Sequence, residues 1–250
     1  MSVPLINRGP GKRAPMRWQR GPQLSTEDGG RDGEILRWIG RHGVVTVHQV
    51  ARRWFGTGGG RGTGDGVPAA YRRLKALELH RLIRRDSWYL TEPQAIRLTS
   101  AGAAEAARTD PASSFDLKPP PRVVIQEIRH TLGVVDLVEH LLAQNPGATV
   151  TTERELRAQW RRDLRSGTRH AGDGGRAPDG ILHLPSGDDI ALELDRTEKR
   201  ARDYERIIQA YKRERYQRIW WFTREKAAPR LRQLCERDVW AKERIKVGVW

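Results

Sequence analysis

Hydrophobic residues recur at helical spacing in four segments of the first 108 residues: 33–42, 47–55, 69–85 and 100–108. The second segment follows Thr46, whose hydroxyl can cap the free amides of a helix N-terminus. The third is the longest, and most of its polar positions are Arg or Lys. Between the third and the fourth, the runs 86–90 and 95–99 are rich in aromatic and β-branched residues, which predicts a two-stranded hairpin.

From residue 123 onward, helical and strand patterns alternate. The helical stretches are 123–144, 153–165, 197–213 and one through Leu231 and Leu234, and the strand-like runs are 148–152, 177–184, 190–195, 218–223 and 245–250. Residues 220–222, Trp-Trp-Phe, form an apolar run flanked by helices, as expected of a strand buried on both faces of a mixed sheet. This alternation predicts an α/β domain.

Irregular segments divide the chain into domains. Residues 1–25 contain basic but no acidic residues, interrupted by Gly and Pro, and predict a disordered basic arm. Residues 109–121 end in three prolines and predict an extended linker. We therefore expect one domain over 26–108 and a second over 122–250. A glycine-rich run at 57–66 predicts a flexible loop inside the first domain.

The charge balance narrows the class of partner. The chain has 46 Lys and Arg residues against 31 Asp and Glu, a formal net charge of +15, which favours a polyanionic partner. No run approaches eighteen apolar residues and no signal peptide is evident, so we expect a cytoplasmic protein without a membrane span. Cys235 is the only cysteine, which excludes an internal disulfide and a thiolate zinc cluster.

Three helices followed by a hairpin are the element order of a winged helix-turn-helix, whose third helix enters the major groove of DNA. The predicted helix 69–85 contains six basic residues and one acidic residue, so the charge and the groove-reading element coincide. Arg can bind both acceptors of a guanine edge, and Lys can neutralise phosphates. The candidate DNA-binding residues are Arg52, Arg53, Arg72, Arg73, Lys75, Arg81, Arg84 and Arg85. A small helical domain that binds protein is the alternative.

Three carboxylates are expected to converge in the second domain. Strand alternation over 190–195 places Glu193 and Asp195 on one face, and Asp179 on the preceding strand can lie opposite them. Acids that converge on one point repel each other unless a cation neutralises them, and Mg²⁺ prefers such oxygen ligands. The alternative is that Asp195 caps the following helix and Asp179 ends a turn.

Pro178-Asp179, a hairpin turn and Glu193-Leu194-Asp195 resemble the motif of the PD-(D/E)xK nuclease superfamily. With the stretches 45–55, 69–85, 89–102 and 177–211, they make the chain similar to the replication-relaxation family of bacterial plasmids and mobile elements. The resemblance implies an α+β protein: an N-terminal winged helix-turn-helix followed by a C-terminal α/β restriction-endonuclease-like domain. It implies catalytic roles for Asp179, Glu193 and Asp195, with Asp179 and Glu193 as Mg²⁺ or Mn²⁺ ligands if the site is active.

The sequence departs from the nuclease motif at its third position, where Asp195 stands in place of the usual lysine. Lys199 or Lys212 on the following helix could take over that role, and a lysine on the carboxylate face would favour an enzyme. We expect no efficient catalysis and no cofactor. The leading hypothesis is a regulator of plasmid or mobile-element replication, transfer or transcription that reads double-stranded DNA. A homodimer is considered as well, because two-fold dimers are common where DNA half-sites are paired. The alternatives are a Mg²⁺-dependent endonuclease or nickase, and an adaptor in a replication or conjugation complex.

Overall fold

The computed structural model describes residues 23–26, 30–56, 66–89, 92–108, 125–168, 176–214 and 216–250. The predicted linker 109–121, almost all of the predicted basic arm and nearly all of the glycine-rich run lie outside the described residues. Within those ranges the protein is α+β, with two sheets. No helix among these residues is long and apolar enough to cross a membrane.

The described residues of the N-terminal part, within 23–108, form four helices around a small antiparallel sheet. Its elements are α1 (Arg31–His42), β1 (Val45–Thr46), α2 (Val47–Trp54), α3 (Gly66–Leu79), β2 (Ile83–Asp86), β3 (Ala95–Leu98) and α4 (Ser100–Arg108). The strand order is β1-β3-β2. The predicted cap of α2 is confirmed, because the Thr46 side chain accepts a hydrogen bond from the Gln49 amide and the Gln49 side chain accepts one from the Thr46 amide.

The predicted helix over 69–85 is wrong in its last third. Helix α3 ends at Leu79, and Arg81 adopts a left-handed backbone conformation with φ of 59°. Residues 83–86 then form strand β2, in which Ile83 pairs with Leu98 of β3. The apolar residues around position 82 fit helical and strand periodicity equally well, and the hydrogen bonds to β3 decide between them. The first hairpin strand therefore begins at residue 83 instead of 86.

The C-terminal part, residues 125–250, builds a five-stranded mixed sheet between helices. Its elements are α5 (Ile125–Gln144), β4 (Thr149–Thr152), α6 (Glu153–Arg165), β5 (Gly180–His183), β6 (Asp189–Asp195), α7 (Ala201–Glu214), β7 (Arg218–Thr223), α8 (Ala228–Arg237), α9 (Val239–Arg244) and β8 (Ile245–Val249). The strand order is β4-β5-β6-β7-β8; the first three strands are antiparallel and the last three are parallel. Helix α9 is absent from the sequence prediction.

Strand β6 separates two hydrophobic clusters. Its residues Ile190, Leu192 and Leu194 pack in one cluster with Leu137 of α5, and Ala191 packs in another with α7 and β7. The alternation predicted for this strand is therefore confirmed. Trp221 of β7 is fully buried in the second cluster.

The N-terminal and C-terminal parts share hydrophobic packing. Val135 of α5 belongs to the cluster formed by α1, α2 and α3, and Ile128 of α5 packs with Val44 and Ala95. Helix α5 thus contributes side chains to the hydrophobic clusters of both parts. Any function assigned to one part is exercised in a defined orientation to the other.

Candidate functional site

The three predicted carboxylates lie around the β5–β6 hairpin and are all buried. Asp179 precedes β5, and its amide donates to the Leu192 carbonyl at 2.9 Å. The Leu194 amide donates in return to Asp179 Oδ2 at 2.7 Å. Because Gly180 pairs with Leu192, this exchange brings Asp179 beside Glu193, as the strand pattern predicts. Asp195 ends β6, two residues further on the same face.

Protein donors hold each of these carboxylates. Arg176 and the Tyr211 hydroxyl both donate to Glu193. His130 of α5 contacts Asp179 through its Nε2 atom, at 3.0 Å from Oδ1. The remaining pair, Lys199 and Trp221, donate to the two oxygens of Asp195, with Trp221 Nε1 at 3.1 Å from Oδ2. The cluster is a closed network that pairs three acids with Arg176, His130 and Lys199.

Burial sets the protonation behaviour of the network. Burial raises the pKa of Glu193 to about 7, the charge of Asp179 adds to the rise, and Arg176 and Tyr211 oppose it. Burial acts to lower the pKa of Arg176, but the charge of Glu193 outweighs it and the net direction is upward. The hydrogen bond to Asp179 raises the pKa of His130 above 6.5 against the effect of burial. Burial lowers the pKa of Lys199.

The network does not fit a divalent cation. All four carboxylate oxygens of Asp179 and Glu193 accept hydrogen bonds from protein donors, and Arg176 adds a positive charge where an ion would need to sit. Among the described residues, no group of three or more His, Cys, Asp or Glu side chains is placed to hold a metal ion.

The two lysines considered from the sequence have different positions. Lys199 reaches the network and pairs with Asp195, whereas Lys212 pairs with Asp238 at 2.5 Å. Sequence reasoning missed Arg176, Tyr211 and His130. The spacing of Tyr204 and Tyr211, seven residues apart on the buried face of α7, is the signal that could have placed a hydroxyl against β6.

Four of the eight candidate DNA-binding residues form ion pairs with acids of other elements of the chain. Their ion pairs are Arg52–Asp136, Arg53–Glu139, Arg73–Asp32 and Arg85–Glu78. The first two join α2 to α5, so they connect the N-terminal and C-terminal parts. Arg73 holds an aspartate that is completely buried. These four side chains have structural partners that a DNA phosphate would have to displace.

The other four candidates, Arg72, Lys75, Arg81 and Arg84, are exposed. Arg72 and Lys75 lie on one stripe of α3 together with Tyr71 and Leu79, at the i, i+3, i+4 spacing of a single helix face. Arg81 and Arg84 follow in the turn and in β2, not on the helix as predicted. Arg84 lies 2.9 Å from Asp86.

Comparison with known proteins assigns the chain to a family. The comparisons with curated proteins and with solved structures found no match to this chain. The family model described as replication-relaxation matches residues 36–231. This span runs from α1 through α8, so it takes in the exposed stripe of α3 and the carboxylate network alike. The chain therefore belongs to the replication-relaxation family.

Proposed function

We propose that the chain binds double-stranded DNA through its N-terminal part and regulates the replication, transfer or transcription of a plasmid or mobile element in the cytoplasm. The observation that carries this proposal is the exposed stripe of α3. Arg72 and Lys75 project from it, and neither has an ion-pair partner among the described residues. A helix face with uncommitted cations is what contacts to base edges and phosphates require.

The arrangement of elements supports a winged helix. The order α1-β1-α2-α3-β2-β3 places three helices before the β2–β3 hairpin, which we assign as the wing. Helix α3 is then the groove-reading helix. Arg81 and Arg84, at the start of the hairpin, are suited to phosphates beside that groove. A homodimer would place two copies of α3 on paired half-sites.

Paired substitutions test the proposal. Arg72→Ala with Lys75→Ala should reduce the preference for the specific duplex by roughly 1–3 kcal/mol, because a bidentate Arg contact to a base is lost. The slope of log affinity against log salt concentration should also become less steep by about one, because one phosphate contact is lost. The specific duplex is first located by footprinting across DNA upstream of the coding sequence. Affinity for it and for random duplex is then measured at several salt concentrations.

The matched control is Lys226→Ala with Arg237→Ala, which removes the same charges from exposed positions of the C-terminal part. It should lower affinity slightly and leave the preference for the specific duplex unchanged. An equal preference in wild type and in the Arg72/Lys75 variant would remove α3 from DNA reading. That outcome would favour the adaptor alternative, which the exposed Leu79 on the same stripe supports.

One observation favours the nuclease alternative. Lys199 lies on the carboxylate network, where the sequence motif lacks its own lysine. Against it, Lys199 is committed to Asp195, and Asp179 and Glu193 have no oxygen left without a protein donor. We therefore assign the network a structural role, in which it ties α5 and α7 to the β5–β6 hairpin.

Incubation of supercoiled plasmid with the protein and Mn²⁺ separates these alternatives. We expect the plasmid to remain supercoiled with wild type, with Glu193→Ala and with Lys199→Ala. Nicking or linearisation by wild type that both variants abolish would show that the network rearranges to admit a metal ion, and it would establish the nuclease.

A further inference from the structure

A cavity of about 480 Å³ opens between α6 and α7, and none of its described lining residues belongs to α3. Arg157 and Trp160 line it from α6, three residues apart on one face. Arg206 and Arg213 line it from α7, where their spacing of seven residues also defines one face. Arg176 completes the rim. We call this cavity the arginine groove.

The charges of Arg157, Arg206 and Arg213 are available to a ligand, whereas that of Arg176 is committed to Glu193. None of its described lining residues is acidic. Arg213 is exposed and has no ion pair among the described residues, and Arg206 lies 3.9 Å from Asp203 with 78% of its side chain exposed. Arg157 pairs with Glu153 at 2.6 Å, but its side chain is 60% exposed. Exposed pairs of this kind contribute little, so a phosphate can replace the carboxylate at small cost.

The floor of the groove is apolar, which narrows the class of ligand. Of its apolar lining residues, Ala177 and Ile207 are buried, and Ala210 and Trp160 are half-buried. Nucleic acid that is unpaired offers planar bases for such a floor and phosphates for such a rim, whereas a duplex keeps its bases stacked inside. The volume lies within the roughly 300–1,000 Å³ of typical small-ligand sites, which accommodates a nucleotide.

We propose that the arginine groove binds single-stranded nucleic acid, with a base packed against Trp160 and Ile207 and the backbone phosphates on Arg206 and Arg213. This inference adds a second, separate surface to the duplex-binding function proposed above. Arg176 lines both the groove and a neighbouring cavity of about 470 Å³ that reaches His130 and Asp179. The arginine groove therefore adjoins the cavity beside the carboxylate network.

Fluorescence anisotropy with a labelled single-stranded oligonucleotide and the full chain tests the proposal. Arg206→Ala with Arg213→Ala should weaken binding about tenfold or more, and Trp160→Leu should weaken it about tenfold through lost stacking. The control is Arg232→Ala with Arg237→Ala, two exposed positions of α8 that lose the same charge outside the groove. The control should bind the oligonucleotide like wild type. Thermal unfolding checks that every variant is folded.

Duplex binding is measured on the same variants, so that the two proposals can fail separately. The groove variants should keep the preference for the specific duplex, and Arg72→Ala with Lys75→Ala should keep single-strand binding. Single-strand affinity that is equal in the groove variants and the control would overturn the inference. Displacement of the oligonucleotide by polyglutamate of equal charge, at equal concentration, would overturn it as well, because the groove would then select acidic polymers in general.

Discussion

At the level of single residues, the most instructive contrast is between the neighbours Arg72 and Arg73. The sequence offers both as DNA ligands, yet one is exposed and the other binds a buried acid. Arg73 is three residues before the buried Ala76 and turns toward α1, where Asp32 also accepts a hydrogen bond from the Ser25 amide at 2.6 Å. Residue type alone cannot separate these roles, since Asp32 lies 41 positions away in the sequence.

Removal of one partner of the Arg73–Asp32 pair should destabilise the folded protein. Arg73→Ala leaves the Asp32 charge buried without a counter-charge and should lower the free energy of unfolding by about 3–5 kcal/mol. Arg72→Ala, next to it but exposed, should change stability by no more than about 0.5 kcal/mol. Urea titration monitored by circular dichroism measures both. Similar midpoints for the two variants would show that the Arg73–Asp32 pair does not contribute as described.

His42 at the end of α1 gives the protein a pH dependence of known sign. Burial, with Arg41, Arg53 and Arg154 adding to it, lowers the pKa of His42 from 6.5 to about 3. Since the folded-state pKa is the lower one, stability is complete above pH 6.5 and falls as the pH drops toward 3. At pH 5 the loss should be about 2 kcal/mol.

The measurement compares urea unfolding of wild type and His42→Gln between pH 4 and 8. The difference between the two proteins isolates the contribution of His42, because the contributions of the other titrating groups cancel. Glu193 is one such group: its pKa is raised in the folded state, so it lowers stability as the pH rises from 4.5 to about 7, opposite in sign to His42. The same substitution at His48, which is exposed, is the control. A difference between wild type and His42→Gln that does not vary with pH would contradict a neutral buried imidazole.

At the level of helices and strands, the sequence predicted correctly those features that depend on interactions between residues close in the chain. The Thr46 cap and the alternation of β6 depend on residues within a few positions, and both are confirmed. The end of α3 depends on pairing between Ile83 and Leu98 across fifteen positions, which no local pattern contains. Gly102 of α4 reinforces that boundary, because a Cβ atom there would lie 1.8 Å from the Leu82 carbonyl oxygen. The chain can therefore pack α4 against the turn after α3 only with glycine at this position.

The carboxylate network shows the same division between local and distant information. The convergence of Asp179 and Glu193 follows from strand periodicity and a hairpin, so the sequence was sufficient to predict it. Their donors were not predictable, since His130 comes from α5 and Tyr211 from α7, on opposite faces of the sheet. The donors change the chemistry, because they occupy the oxygens that a metal ion would use. Prediction of the acids alone therefore favoured a metal site more strongly than the assembled structure does.

At the level of the whole molecule, the N-terminal and C-terminal parts are joined by polar contacts as well as by shared hydrophobic packing. Besides the pairs of Arg52 and Arg53 with α5, Arg41 of α1 donates to Glu155 of α6 at 2.7 Å. Trp38 Nε1 donates to Glu139 at 3.1 Å. Because α6 also lines the arginine groove, these contacts fix that groove relative to α3. A duplex on α3 and a single strand in the arginine groove would then be held at a defined separation, as binding to a junction between duplex and single-stranded DNA requires.

Such an interface should make the two parts unfold together. Hydrogen exchange at increasing urea concentration should show that amides of α1–α3 and of β5–β7 lose protection in one transition. Asp136→Lys with Glu139→Lys places like charges against Arg52 and Arg53 and should separate that transition into two, with the N-terminal part opening first. Glu127→Lys with Glu205→Lys, a matched change at exposed positions outside these pairs, should preserve a single transition. Two transitions in wild type would mean that the parts are independent, and that α3 and the arginine groove bind their ligands without a fixed mutual orientation.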